Sequence, residues 1–141
     1  MASFSGFLDS KQIGEFEGRT VHKLNTPLIW EHTGKRVEIP AGFETDLASV
    51  PRLPFVYLLW GDRAHREAVL HDYLYRCDSL IWIGPAPCRP EKEEADWLFR
   101  EAMIGQGQPW RIYHPMWLAV RCAGGSSFRR MKVMDNFQVT T

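Results

Sequence analysis

Clusters of β-forming residues mark the first part of the chain as sheet. Residues 19–30 and 35–39 are rich in Val, Ile, Leu, Thr and Trp, and a short turn-like segment, residues 31–34, separates them. Two such runs around a short connection that contains Gly are typical of a β-hairpin. The pattern therefore predicts two antiparallel strands, after which residues 40–42 turn the chain.

Three later segments have the composition and spacing of helices. Residues 63–75 contain strong helix formers without Gly or Pro, and Asp62 before them is a suitable N-cap. Residues 90–104 begin with Pro and carry acidic residues in their first turn, which the helix dipole favours. Residues 110–122 predict a third helix, which Pro115 either starts or kinks.

The remaining segments predict a loop and a tail. Residues 78–90 contain three Pro and one Gly and are predicted to form a loop. Residues 126–141 mix Ser, Thr and basic residues with spaced apolar ones, which favours an extended arm or an edge strand. We therefore predict an α+β fold, with a small N-terminal antiparallel sheet packed on about three helices. The expected organisation is one α+β domain over residues 1–125 and a C-terminal arm over residues 126–141.

Composition narrows the classes of function. The chain has 141 residues, of which 45% are hydrophobic, enough for one sizeable core. Lys+Arg and Asp+Glu number 17 each, and this zero net charge argues against a nucleic-acid-binding protein. No apolar run is long enough to predict a membrane span, and no secretory signal is visible. The three Cys form no C-x-x-C pair, so reduced thiols and synthesis in the cytoplasm are expected.

Two short polar segments hold the candidate chemistry. Residues 43–52 and 71–75 are expected to form one buried or cleft-lining cluster. Asp46 either caps its own short turn or faces the helix that carries the His-Asp pair. The catalytic candidates are Asp46, His71, Asp72 and Asp96, and the supporting candidates are Thr45, Ser49, Arg52, His65 and Tyr75.

The cluster admits two interpretations. His71 with Asp46 and Asp96 offers a mixed nitrogen and oxygen ligand set of the kind that suits a divalent metal such as Zn, or Mn or Fe. Adjacent helical residues diverge by about 100°, so His71 and Asp72 share one ion only at the edge of a face. The alternative is a buried His-Asp-Tyr hydrogen-bond network that fixes helix packing. No nucleophile elbow and no phosphate loop is present.

Three motifs carry a resemblance to a known family. Their order in the chain is G-F-E-T-D-L-A-S-V-P-R at residues 42–52, H-D-Y-L-Y at residues 71–75 and A-D-W-L-F-R-E-A-M at residues 95–103. Across roughly residues 20–125 the chain resembles a small domain-of-unknown-function family encoded mostly by tailed bacteriophages and prophages. The resemblance marks nine positions as motif residues: Thr45, Asp46, Ser49, Pro51, Arg52, His71, Asp72, Tyr75 and Asp96.

The resemblance implies a phage origin without supplying a biochemistry. One hypothesis is a virion component of the tail or tail tip, made in the host cytoplasm, that contacts other phage structural proteins. A second is a hydrolase, metal-dependent or not, that acts on peptidoglycan through the Asp/His/Asp cluster. A third is a small protein that blocks a host factor, a hypothesis supported only by the small size of the chain.

Overall fold

The structure, a computed structural model, describes residues 3–5, 8–46, 66–123, 125 and 128–140. The fold is α+β, with antiparallel strands in the N-terminal part and helices in the C-terminal part, as the sequence predicts. The strands are β1 (Ser3–Ser5), β2 (Ser10–Phe16), β3 (Arg19–Leu24), β4 (Leu28–His32), β5 (Lys35–Ile39), β6 (Glu44–Thr45), β7 (Ile81–Ile83) and β8 (Ala86–Cys88). The helices are α1 (Arg66–Leu74), α2 (Lys92–Gly105) and α3 (Trp110–Ala123).

The strands of the described residues form two sheets. One has the order β1-β4-β5-β7-β8 and the other the order β2-β3-β6, with antiparallel pairing throughout. The predicted hairpin is the β4–β5 pair. Its turn consists of Thr33 and Gly34, which both have positive φ, and is shorter than the predicted turn of residues 31–34. This backbone is typical of a two-residue hairpin turn whose twist matches that of its strands.

Three local expectations differ from the structure. The predicted strand over residues 19–30 is two strands, β3 and β4, because residues 25–27 turn the chain between two sheets. Residues 78–90 were expected to be a loop, yet they contain the β7–β8 hairpin, in which Gly84 supplies positive φ at the turn. The strands β1 and β2 have too few clustered apolar residues for the pattern to predict them.

The core lies where the helices cover the larger sheet. Trp30, Val37 and Ile39 from β4 and β5 pack with Leu70 and Leu74 of α1, and all five are fully buried. A second buried cluster joins the three helices through Ala68, Phe99, Met103, Met116 and Val120. Helix α1 belongs to both clusters, so its polar residues are held at the centre of the molecule.

The C-terminal segment, residues 128–140, runs over the body of the protein. Val133 is buried in the main core, and the Arg129 N–H donates to the Tyr75 carbonyl. Farther along, Glu15 and Thr140 exchange two backbone hydrogen bonds of 2.9 Å each. The division at residue 125 stays a prediction, but the described arm is anchored to β2 and to the residues that directly follow α1. Among the helices described, none has the length and apolar character needed to cross a membrane.

Candidate functional site

Helix α1 directs the neighbouring residues His71 and Asp72 into two different polar networks. His71 points to α2 and joins what we call the sealed network, made of His71, Tyr75, Lys92, Asp96 and Arg121. Asp72 points to β6 and joins the cavity network, made of Glu44, Thr45, Asp72 and Arg76. The helical rotation of about 100° between successive residues accounts for this divergence.

Asp96 is the centre of the sealed network. Its Oδ1 accepts a hydrogen bond from the Tyr75 hydroxyl at 2.6 Å and lies 2.8 Å from His71 Nε2. Its Oδ2 accepts from Lys92 Nζ at 2.9 Å and from an Arg121 guanidinium nitrogen at 3.1 Å. His71 and Asp96 have no exposed surface. One carboxylate therefore satisfies four donors from all three helices.

The electrostatics of this network define its protonation states. Burial raises the pKa of the Asp96 carboxyl, but hydrogen bonds from His71, Tyr75 and Lys92 outweigh it and lower the pKa to about 2. Burial lowers the pKa of His71, and the nearby Asp96 offsets this only in part. Burial and the hydrogen bond to Asp96 raise the pKa of Tyr75. At neutral pH, Asp96 is ionised and His71 is neutral. The ring hydrogen of His71 is therefore on Nε2, which donates a hydrogen bond to Asp96.

Lys92 also ties the network to the end of α3. Its Nζ donates to the carbonyl of Val120 at 3.0 Å and to that of Arg121 at 3.2 Å. Carbonyls in the last turn of a helix lack partners within the helix, and a cation there also complements the helix dipole. The sealed network thus locks three helices together, which is a structural task.

The cavity network joins α1 to β6 and to the C-terminal arm. Thr45 Oγ1 donates to Asp72 Oδ2, and Arg76 donates to the same oxygen at 3.3 Å. Arg76 further donates to the Glu44 carbonyl at 2.8 Å and to the Lys132 carbonyl at 3.0 Å. Its guanidinium lies 4.7 Å from the centre of the Phe43 ring, a cation–π contact.

A cavity of about 470 Å³ opens beside this second network. The body supplies one side of its wall, and the arm supplies the other. The lining residues are Phe16, Glu17, Asp46, Asp72, Tyr75, Arg76, Arg130, Met131, Asn136, Phe137 and Gln138. Three residues predicted for the site, Asp46, Asp72 and Tyr75, therefore line one concave space of the size typical of small-molecule sites.

The predicted site residues are accordingly divided between two places. The first polar segment does meet the His-Asp pair, through the bond between Thr45 and Asp72. His71 and Asp96 meet each other in the sealed network, with Tyr75 between the two regions. The candidates Ser49, Arg52 and His65 lie outside the described residues.

The predicted metal ligands are not assembled as one group. Within the described ranges, no three His, Cys, Asp or Glu residues are placed to hold a metal ion. His71 Nε2 and Asp96 Oδ1 are 2.8 Å apart and bond to each other directly. Asp46 lies with Asp72 on the cavity wall. The alternative predicted from sequence, a buried His-Asp-Tyr network, describes the geometry of His71, Asp96 and Tyr75.

Sequence reasoning missed the cations of both networks. Lys92 and Asp96 are four residues apart on α2, and Arg76 follows Asp72 by four residues just past the end of α1. Opposite charges at this spacing face each other on a helix, so the signal was present in the sequence. Arg121 reaches Asp96 from another helix, and no local pattern marks that contact.

Comparison with known families adds a classification. The fold and the site together define a class of protein. It is a small α+β domain with a buried carboxylate network and an adjoining cavity. Residues 22–120 match the family described as "Protein of unknown function (DUF1353)", and this match spans more than half of the chain. The chain belongs to that family. Searches of curated proteins and of solved structures give no match.

Proposed function

We propose that this chain is a bacteriophage virion protein of the tail or tail tip that acts through protein–protein contacts. The phage setting rests on the resemblance of the three motifs. The contact role rests on an exposed aromatic face on α2 and α3. We define the aromatic face by its members Trp97, Ile104, Trp110, His114, Trp117 and Leu118.

The aromatic face carries the proposal because its large side chains are exposed. Trp110 is 64% exposed and Trp97 is 47% exposed. The Trp110 and His114 rings stack with centres 5.1 Å apart, and Trp117 meets Trp97 edge-on at 6.1 Å. These ring contacts favour the observed side-chain positions and so reduce the side-chain entropy that binding would cost.

The face also has the composition of an interface. Trp and Arg are the residue types most enriched among those that dominate binding energy. Arg100 lies 4.6 Å over the Trp97 ring and 5.2 Å from the centre of the Tyr113 ring, so a cation borders the apolar surface. A contiguous apolar surface with a polar border is characteristic of a protein contact site.

The sealed network favours a structural role, not a catalytic one, for His71 and Asp96. Both side chains are excluded from solvent, and the four described donors around the Asp96 carboxylate saturate it. A general acid or base must come within hydrogen-bond reach of a substrate. Stabilisation of the fold is the function that this geometry supports for the pair.

Mass spectrometry of purified particles, from the phage that encodes the chain, tests the proposal. We expect the chain in the particles, and we expect the double variant Trp97→Ala/Trp110→Ala to be depleted from them by about ten-fold, a loss of about 1.4 kcal/mol in binding. Ile83→Ala is the matched control, because Ile83 is apolar and 46% exposed but lies on the β7–β8 hairpin. Absence of the chain from particles, or equal incorporation of the double variant and wild type, would contradict the proposal.

A second candidate is a hydrolase that acts on peptidoglycan. The observation that favours it is the presence of Asp46, Asp72 and Tyr75 on the wall of one cavity. Zymography on cell-wall sacculi tests this candidate, with Asp46→Asn beside the wild type. Clearing by wild type that Asp46→Asn loses while still folded supports the hydrolase, and no clearing by folded wild type removes it.

A further inference from the structure

The cavity between the arm and the body combines aromatic surface with planar polar groups. Phe16 and Phe137 meet edge-on with ring centres 5.3 Å apart, and Tyr75 adds a third aromatic ring to the wall. Aromatic rings of this kind pack against the C–H-bearing face of a sugar ring as well as against hydrocarbon. The wall therefore offers aromatic surface inside a partly polar space.

The polar groups of the wall include both donors and acceptors. Asp72 uses Oδ2 for Thr45 and Arg76, while its Oδ1 takes part in none of the described hydrogen bonds. The arm contributes Arg130, Asn136 and Gln138 to the lining of the same space, one residue with a guanidinium and two with a side-chain amide. A carboxylate oxygen accepts, a guanidinium donates and an amide does both. A ligand hydroxyl, which both donates and accepts, fits such a wall.

The charges of the wall favour a neutral ligand. Asp72 and Arg76 are paired at 3.3 Å. The other charged residues on the wall are Glu17 and Asp46, which are acidic, and Arg130, which is basic, so the lining carries both signs of charge. Selection of an ionic ligand usually relies on charges of a single sign, which attract the opposite charge. This mixed wall provides no such field.

We propose that this cavity binds a saccharide of one or two sugar rings. The aromatic residues support the ring face, and the carboxylate, amide and guanidinium groups bond to its hydroxyls. The arm supplies Asn136 and Gln138, so bound sugar ties the arm to the body. This site is separate from the aromatic face, and sugar binding does not depend on incorporation into particles.

Isothermal titration of the full chain with chitobiose and with maltose tests the proposal. Binding of chitobiose identifies an amino-sugar ligand of the cell-wall type, and binding of maltose identifies a neutral glucan; either result supports the site. We expect the double variant Asn136→Ala/Gln138→Ala to bind about ten-fold more weakly, because several ligand hydrogen bonds are lost. Gln108→Ala, an amide removed between α2 and α3, is the matched control and should bind like wild type.

Three outcomes would overturn the proposal. The first is no binding of either sugar by the folded chain at millimolar concentration. The second is equal sugar binding by wild type and the arm double variant. The third is loss of sugar binding in Trp97→Ala/Trp110→Ala with retention in the arm variant, which would move the site to the aromatic face. Chain-length analysis of the sugars after titration separates binding from hydrolysis. The sugar-binding result can therefore be interpreted even if the hydrolase candidate fails.

Discussion

The sealed network and the cavity network start from adjacent residues of one helix but differ in what surrounds them. Asp96 in the sealed network has no exposed surface and satisfies four donors. Asp72 in the cavity network uses one carboxylate oxygen for its two described bonds and borders an open space. A carboxylate whose oxygens are all engaged holds structure, whereas one with an oxygen to spare beside a cavity can also meet a ligand.

The two networks also show how the three sequence motifs depend on one another. The His-Asp pair of α1 contacts the carboxylate of α2 through its first residue and the Thr of β6 through its second. Each motif thus supplies a partner to another motif. Three short sequence motifs define two sites because one helix turns its consecutive side chains to different neighbours.

The largest predicted effect is a difference in stability between two variants, each with the central carboxylate of one network changed from Asp to Asn. Asp96→Asn should lower the free energy of unfolding by about 3 kcal/mol, because a neutral amide cannot satisfy four donors of which two are cations. Asp72→Asn should lower it less, by about 2 kcal/mol, because the single amide oxygen can still accept from Thr45 and Arg76 although the buried Arg76 loses its ionic partner. Urea denaturation of both variants and the wild type measures the two values.

Asp135→Asn is a suitable control for the general effect of removing a carboxylate, since Asp135 is exposed and accepts only a local backbone bond. Equal losses at Asp96 and Asp72 would break the distinction between a sealed and an open network. A larger loss at Asp72 than at Asp96 would reverse it.

Acid should weaken the sealed network in two stages. The pKa of His71 is lowered by burial, so the unfolded chain binds the proton that folded His71 excludes, and stability falls as the pH drops below about 6.5. The pKa of Asp96 is lowered to about 2, so its contribution of about 2 kcal/mol is complete above about pH 5 and is lost progressively as the pH falls toward 2. Urea midpoints measured between pH 8 and pH 3 should therefore decrease in two stages.

His71→Gln should remove the contribution of His71 to the upper stage, because glutamine does not titrate. The lower stage should remain but shrink, because the hydrogen bond from His71 is one of those that lower the pKa of Asp96. His22, whose pKa is also lowered by burial, lies on β3 outside both networks, so His22→Gln separates its share of the upper stage. If His71→Gln and wild type lose stability in parallel between pH 6.5 and pH 4, His71 is not the group that carries the upper stage.

The sequence predicted the elements that follow a strong local pattern. The β4–β5 hairpin, the three helices and the α+β class all follow from runs of residues whose spacing is set by the backbone itself. The strand β2 was missed because Gly14 interrupts it as a bulge and few of its side chains are buried. The β7–β8 hairpin was missed because Gly84, Pro85 and Pro87 indicated a loop more strongly than the preceding apolar run, residues 80–83, indicated a strand.

The site was predictable as a set of residues but not as an arrangement. The motifs marked Thr45, Asp72 and Asp96, and the structure bonds each of them to another motif residue. Which carboxylate is sealed depends on the packing of α2 against α3, and Arg121 arrives from a helix 25 residues farther along the chain. The cavity depends on where the arm docks, which no periodicity in residues 126–141 encodes.

The smallest predicted loss of stability comes from a change that detaches the end of the arm. This change should affect the cavity network but not the sealed network. A Cβ at Gly14 would lie 2.7 Å from the Thr140 carbonyl oxygen and 2.9 Å from Val139 Cβ, so Gly14→Ala should detach the end of the arm and open the cavity at a cost of about 1 kcal/mol. Gly18→Ala is the matched control, because Gly18 also has positive φ but a Cβ there meets nothing within 4 Å. Amide hydrogen exchange should show lost protection at Glu15 and Thr140 in Gly14→Ala alone, with the Tyr75 amide, bonded to the His71 carbonyl, unchanged in both variants. Loss of protection at Tyr75 as well would mean that the arm supports the sealed network too, and that the two regions are one cooperative unit.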